Sequence, residues 1–177
     1  MGGISSTQKN ARCILHGLDS VGKTTLLYKF KLNQNINATP TLGFNVEEIK
    51  YNGINLILWD IGGQSKTRVL WDHYCHNCKA IIYVIDSNDI ERLDEVKIQL
   101  FNMLKNEYLR DSILLLYANK QDLPHALKAE ELIDRLGLNA ISDREWKIQE
   151  VCSLTGEGIH EGFDWLSQQI KFKFSNK

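Results

Sequence analysis

Apolar residues fall along this chain in runs of four to seven, separated by longer stretches in which they recur every three or four positions. Segments 12–16, 79–86, 113–118 and 146–152 read as strands, 113–118 as a buried one, and the longer stretches carry the period of amphipathic helices. Segments 44–51 and 54–59 flank Asn52-Gly53, a pair suited to a two-residue hairpin turn. Helical spacing predicts a helix over 23–31 with Leu26, Leu27 and Phe30 inward. A second carries Leu93, Val96, Leu100 and Leu104 behind Asp89 as its cap. A third runs over 129–136 and stops at Gly137. The last begins near Gly158 with Ile159, Phe163, Leu166 and Ile170 on one stripe. The polar stretch 34–42 reads as a loop.

Strands alternating with helices predict one α/β domain: a six-stranded, mostly parallel sheet with helices on both faces, the hairpin adding one antiparallel strand. The leader covers 1–11 and the domain 12–177. In such a sheet ligands bind beyond the carboxyl ends of the strands. The loops that follow strands are therefore where chemistry is expected.

Composition narrows the picture. Apolar residues make up 43% and charged residues 24%, with a net charge of −1, which disfavours nonspecific nucleic-acid binding. The longest unbroken apolar runs, 80–85 and 113–118, are far short of the roughly 20 residues a bilayer span needs. Residues 1–10 hold no apolar core of a secretory signal, so the four cysteines are expected to be reduced thiols in the cytoplasm. Cys75-His76-Asn77-Cys78, with His73 nearby, lacks a second pair at zinc spacing and reads as helix packing or partner contact. Cys13 and Cys152 read as small core residues on strands.

Three motifs sit at strand ends. Gly17-Leu18-Asp19-Ser20-Val21-Gly22-Lys23-Thr24 fits G-x-x-x-x-G-K-[ST] between a strand and a helix. Its glycines let backbone amides wrap phosphate oxygens, Lys23 reaches the β- and γ-phosphates, and Thr24 ligates Mg²⁺. Asp60-Ile61-Gly62-Gly63-Gln64 offers a carboxylate that can hold Mg²⁺ through water. It also offers a backbone N–H at Gly63 for the γ-phosphate and a side chain at Gln64 that can orient an attacking water. Asn119-Lys120-Gln121-Asp122 selects the base. Asp122 can accept from guanine N1–H and N2–H₂, a donor pair adenine lacks. Lys120 can lie over the base plane, and Asn119 can tie this loop to the phosphate loop.

With these motifs the chain resembles the Ras-like small GTPases, and more closely their ADP-ribosylation factor (Arf) and Arf-like branch. The resemblance rests on 17–25, Pro40-Thr41-Leu42-Gly43-Phe44-Asn45, 59–64, Leu70-Trp71, His73-Tyr74, Asp86-Ser87-Asn88-Asp89, 118–124 and 161–167. It implies bound GTP or GDP with Mg²⁺, held by Asp19, Ser20, Val21, Gly22, Lys23, Thr24 and Thr25. It implies that Thr41 joins the Mg²⁺ ligands when the γ-phosphate is present, and that Gln64, Lys23 and Thr41 serve hydrolysis. It makes 62–78 the second switch. It places Cys152-Ser153-Leu154 against the guanine oxygen, where the family usually reads Cys-Ala-Thr. Asp19 stands where Ras-type chains usually carry glycine. Phe44, Trp59 and Tyr74 match the aromatic trio that effectors read.

The implied partners are an exchange factor, an activating protein that supplies an arginine, and effectors or coat proteins. The implied chain is a monomer that regulates vesicle or membrane traffic. Met1-Gly2-Gly3-Ile4-Ser5-Ser6 fits the myristoylation pattern at Gly2. One acyl chain binds membrane weakly, so reversible peripheral association with Golgi or another endomembrane is expected. No cysteine follows Cys152, so prenylation of the Ras or Rab kind is not expected. An Arf-like adaptor with little turnover is the alternative. An adenine-specific kinase is a distant third, disfavoured by Asp122.

Overall fold

The computed structural model describes residues 9–32, 44–61 and 74–174. Its strands are β1 (Lys9–His16), β2 (Phe44–Tyr51), β3 (Ile54–Ile61), β4 (Ala80–Asp86), β5 (Ile113–Asn119) and β6 (Trp146–Glu150). Its helices are α1 (Lys23–Leu32), α2 (Leu93–Leu104), α3 (Ala129–Leu136) and α4 (Ile159–Phe174). The sheet runs β2-β3-β1-β4-β5-β6, with β2 antiparallel to β3 and every other pair parallel. This is the six-stranded, mostly parallel architecture that the alternation implied, with helices around the sheet.

Two inner strands, β4 and β5, are buried along their whole length. Every residue of β4 and β5 lies in the core, which is why both segments are nearly continuous apolar runs rather than alternating ones. The edge strand β2 differs: from Asn45 to Lys50 its residues alternate between half-buried and exposed. At the hairpin, Asn52 and Gly53 both adopt positive φ (47° and 74°), as a type I′ turn requires. Phe30 of α1 stacks flat on Phe163 of α4, ring centroids 3.7 Å apart, which joins the two helices. Burial of each such ring contributes about 1.5–3 kcal/mol.

The boundaries differ from the sequence expectations where backbone pairing, not side-chain polarity, sets them. β1 starts at Lys9 rather than residue 12, because Lys9, Asn10 and Ala11 still pair with Ile54, Asn55 and Leu56 of β3. β3 continues past Trp59 to Ile61, paired there with Phe44. β6 stops at Glu150, so Cys152 lies in the following loop and not on a strand. Asp89 makes no side-chain cap; its carboxylate takes Arg92 Nε at 2.6 Å instead. Met103, rather than Leu104, is the buried residue in the last turn of α2. The polar stretch 34–42 lies outside the described residues.

Candidate functional site

The carboxyl ends of β1, β3, β4 and β5 bring the first and third motifs, and Asp60 of the second, to one edge of the sheet. β1 leads into 17–22, and α1 begins at Lys23. This loop needs unusual backbone: Ser20 has φ 61° and Gly22 has φ 96°. A Cβ on Gly22 would sit 2.5 Å from Asn119 Nδ2, so only glycine lets the base-side loop approach the phosphate-side loop this closely. The helix start adds partial positive charge beside the loop.

Lys23 is 7% exposed, and its ammonium donates to the carbonyls of Gly17 (3.0 Å) and Leu18 (2.6 Å). Burial lowers its pKa, while the nearby carboxylates of Asp60 and Asp19 pull it back up. A desolvated ammonium inside a loop of backbone amides suits a phosphate. Thr24 Oγ1 stands 3.5 Å from Asp60 Oδ2, so a hydroxyl and a buried carboxylate converge beside it. This all-oxygen pair fits a hard divalent cation such as Mg²⁺. Thr25 follows, half-buried.

At the base side one amide joins three loops. Asn119 Nδ2 donates to Val21 O at 2.8 Å and to Ser153 Oγ at 3.1 Å. Its Oδ1 accepts from Ser153 N at 3.0 Å. Asp122 is exposed at the loop's end, where Cys152 Sγ donates to its Oδ1 at 3.3 Å. Lys120 takes a positive φ of 66° and pairs through Nζ with Asp86 Oδ2 at 2.6 Å. Sequence reasoning expected Asn119 to tie the loops, and the amide occupies that position. It missed the Ser153 hydroxyl in the tie and the Cys152 thiol on Asp122. Neither residue type marks such a role without a fold.

Trp59 and Tyr74 meet, their rings 5.3 Å apart, with the Arg12 guanidinium 4.4 Å above Trp59. Tyr74 is buried. The described backbone places Phe44 opposite Ile61 at the open end of the hairpin. Gly2, Thr41, Gly63 and Gln64 lie outside the described residues. Cys75 and Cys78 are buried, and burial pushes the Cys78 thiol up to about 11, so it is an unreactive thiol. Sequence reasoning also missed Arg92, which reaches the phosphate-side loop at Asp19 (Nη1 to Oδ1, 2.9 Å).

The family model of the ADP-ribosylation factor family matches residues 1–170. Among solved structures, the chain is similar to the Arl6 (BBS3) small GTPase of Trypanosoma brucei, described with the nucleotide analogue GppNp bound. Identity is 36% and the TM-score 0.86, over 93% of this chain and 99% of that one.

Proposed function

The chain belongs to the ADP-ribosylation factor family of small GTPases, and we propose that it is a switch that binds GTP and GDP with Mg²⁺, engages effectors in its GTP form and resets by hydrolysis. The observation that carries this reading is the Asn119 amide, which seats a loop bearing Asp122 against the loop that leads into Lys23 and Thr24 at the start of α1. That arrangement fits a ligand with a guanine base at one end and phosphates at the other. The T. brucei relative with GppNp supports it.

In this reading Asp122 accepts from the base, and Ser20, Val21, Gly22, Thr25 and Lys23 hold the phosphates. Asp19 belongs to the same loop. The backbone N–H of Gly63 bonds the γ-phosphate. Thr24, Thr41 and, through water, Asp60 would hold Mg²⁺, which when bound neutralises phosphate charge. Gln64 orients a water in line with the γ-phosphate, and Lys23 stabilises the charge on the transferring group. An activating partner supplies an arginine, worth about 10³–10⁵ in rate. An exchange factor releases GDP. Phe44, Trp59 and Tyr74 form the surface for effectors or coat proteins, Tyr74 from its buried place against the Trp59 ring.

Among the described residues no helix is long and apolar enough to cross a membrane. The Met1–Ser6 match to the myristoylation pattern supports a reversible anchor through Gly2 at a Golgi or other endomembrane, where the protein would serve vesicle traffic. An unmodified Gly2 in the native protein, read by mass spectrometry, removes that anchor.

Competition of GTP, GDP and ATP for a fluorescent guanine nucleotide, followed by single-turnover hydrolysis, tests the switch. We expect preference for both guanine nucleotides over ATP and slow hydrolysis that an activating protein accelerates. Gln64→Leu should abolish the accelerated hydrolysis while still binding GTP. Tight GTP binding without stimulated turnover would make the protein an adaptor, and equal affinity for ATP would overturn the base assignment.

A further inference from the structure

Asp19 poses a physical problem for a loop that takes phosphates. Asp19 lies in the 17–22 loop that leads from β1 into Lys23, so a carboxylate stands in the segment that would take a polyanion. Like charges there oppose binding. Arg92, from the turn that follows β4, meets this residue twice. Nη1 donates to Asp19 Oδ1 at 2.9 Å and Nη2 to the Asp19 carbonyl at 3.3 Å. The guanidinium is itself fixed from the other side, because Nε donates to Asp89 Oδ2 at 2.6 Å. Arg92 is about one-third exposed along its side chain, while Asp19 is 72% exposed.

The fork does two things at once. It counters the charge of the Asp19 carboxylate and holds it by a directed bond. It also pins the Asp19 peptide, one residue before Ser20 with its left-handed backbone, and so fixes the direction of the loop's next N–H groups. A planar guanidinium can hold carboxylate, carbonyl and a second carboxylate together, whereas a lysine ammonium offers one point charge.

We propose that Arg92 is a positioning residue for the phosphate loop: through Asp19 it sets the loop's backbone and offsets part of the charge of a carboxylate that would otherwise repel the phosphates of a bound guanine nucleotide. This rests on the proposed nucleotide function. Arg92 acts through Asp19 and touches no reacting atom.

The test is a double-mutant cycle on the full chain with Mg²⁺ present, read as release rates of fluorescent GDP and of a nonhydrolysable fluorescent GTP analogue. Arg92→Ala should speed release by about tenfold when Asp19 is present, and more for the triphosphate than for the diphosphate. In the Asp19→Asn background the same change should cost less than about threefold. Arg92→Lys should fall between Arg92 and Arg92→Ala. Arg92→Gln keeps the side chain's length without its charge; it gives the same coupling if Arg92→Ala unfolds. An equal cost in both backgrounds overturns the proposal, because Arg92 then acts on the nucleotide or on α2 and not through Asp19. Unchanged release in Arg92→Ala overturns it too, with the nucleotide function intact. A wild-type chain that binds no guanine nucleotide overturns the functional reading and this proposal together.

Discussion

Two corners of the molecule join distant parts of the chain with the same kind of bond and in opposite surroundings. At the base-side corner, Asn119 reaches Val21 and Ser153, and all three are buried. At the hairpin corner, Tyr51 and Asn52 reach α4: Tyr51 Oη donates to Asp164 Oδ1 at 2.7 Å, and Asn52 Nδ2 donates to Asp164 Oδ1 at 2.8 Å and to Ser167 Oγ at 3.1 Å. Asn52 is exposed, and Tyr51 and Asp164 are half-buried. In the first corner no water can replace a lost partner without a cavity opening, so breaking the tie costs the full desolvation of an amide. In the second, solvent stands ready to take the bonds of exposed Asn52 and half-buried Tyr51 and Asp164. The base side is therefore a rigid seat, and the hairpin is held by a latch of low cost.

The sharpest way to break this comparison is Asn119→Ala. It strips three buried bonds and leaves Val21 O and Ser153 N–H unpaired. We expect a loss of about 3 kcal/mol in guanine-nucleotide affinity, more than a hundredfold, read by titration with a fluorescent nucleotide. A loss below about 1 kcal/mol would show that the seat is not the amide.

That corner also shows what was legible in the sequence. Asn119, Asp122, Lys23 and Gly22 announce themselves because phosphate and base chemistry need those residue types at fixed spacing after strands. Strands β4 and β5 were legible because full burial demands an unbroken apolar run. Ser153 and Cys152 were not, since a serine or cysteine bonds whatever the fold brings near it. Arg92 was hidden for a like reason: its partner Asp19 is 73 positions away. The hairpin turn was readable from Asn52-Gly53, yet its attachment to Asp164 and Ser167 joins residues more than 100 positions apart with no local pattern. Asp89 was misread because an Asp ahead of a helix signals a cap unless a closer cation, here Arg92, claims it.

The latch should yield more cheaply. Asp164→Asn keeps the volume but weakens the bonds from Tyr51 and Asn52, and should cost about 1 kcal/mol of stability in chemical denaturation. A stability cost of about 3 kcal/mol, the size expected for leaving a buried group unpaired, would erase the contrast between the corners. The latch also carries a pH signature. The bonds from Tyr51 and then Asn52 hold the Asp164 carboxyl below its ordinary range. A depressed carboxyl stabilises the fold above its unfolded pKa and loses that contribution as pH falls through its folded pKa. The stability gap between wild type and Asp164→Asn should therefore be full at neutral pH and narrow as the pH falls below the ordinary aspartate pKa of about 3.9. A gap that stays constant over that range would mean the carboxylate's charge plays no part in the latch.

The smallest effect belongs to Ser153, and it probes how finely the buried seat is built. Its backbone N–H meets Asn119 Oδ1 in any residue, but its hydroxyl adds an acceptor for the same amide at 3.1 Å. Ser153→Ala restores the alanine usual in the family and removes only that acceptor, while Asn119 Nδ2 keeps Val21 O. The amide loses one of two neutral bonds and is not orphaned, so the cost should be about 0.5–1 kcal/mol, a two- to fivefold faster release of GDP. The Gly22 backbone constrains the outcome, since the Ser153 hydroxyl lies 3.3 Å from where a Gly22 Cβ would stand and fills the gap between the loops. Slower release in Ser153→Ala would reverse the sign: the hydroxyl would then be crowding the loops apart, and the seat would be tightest without it.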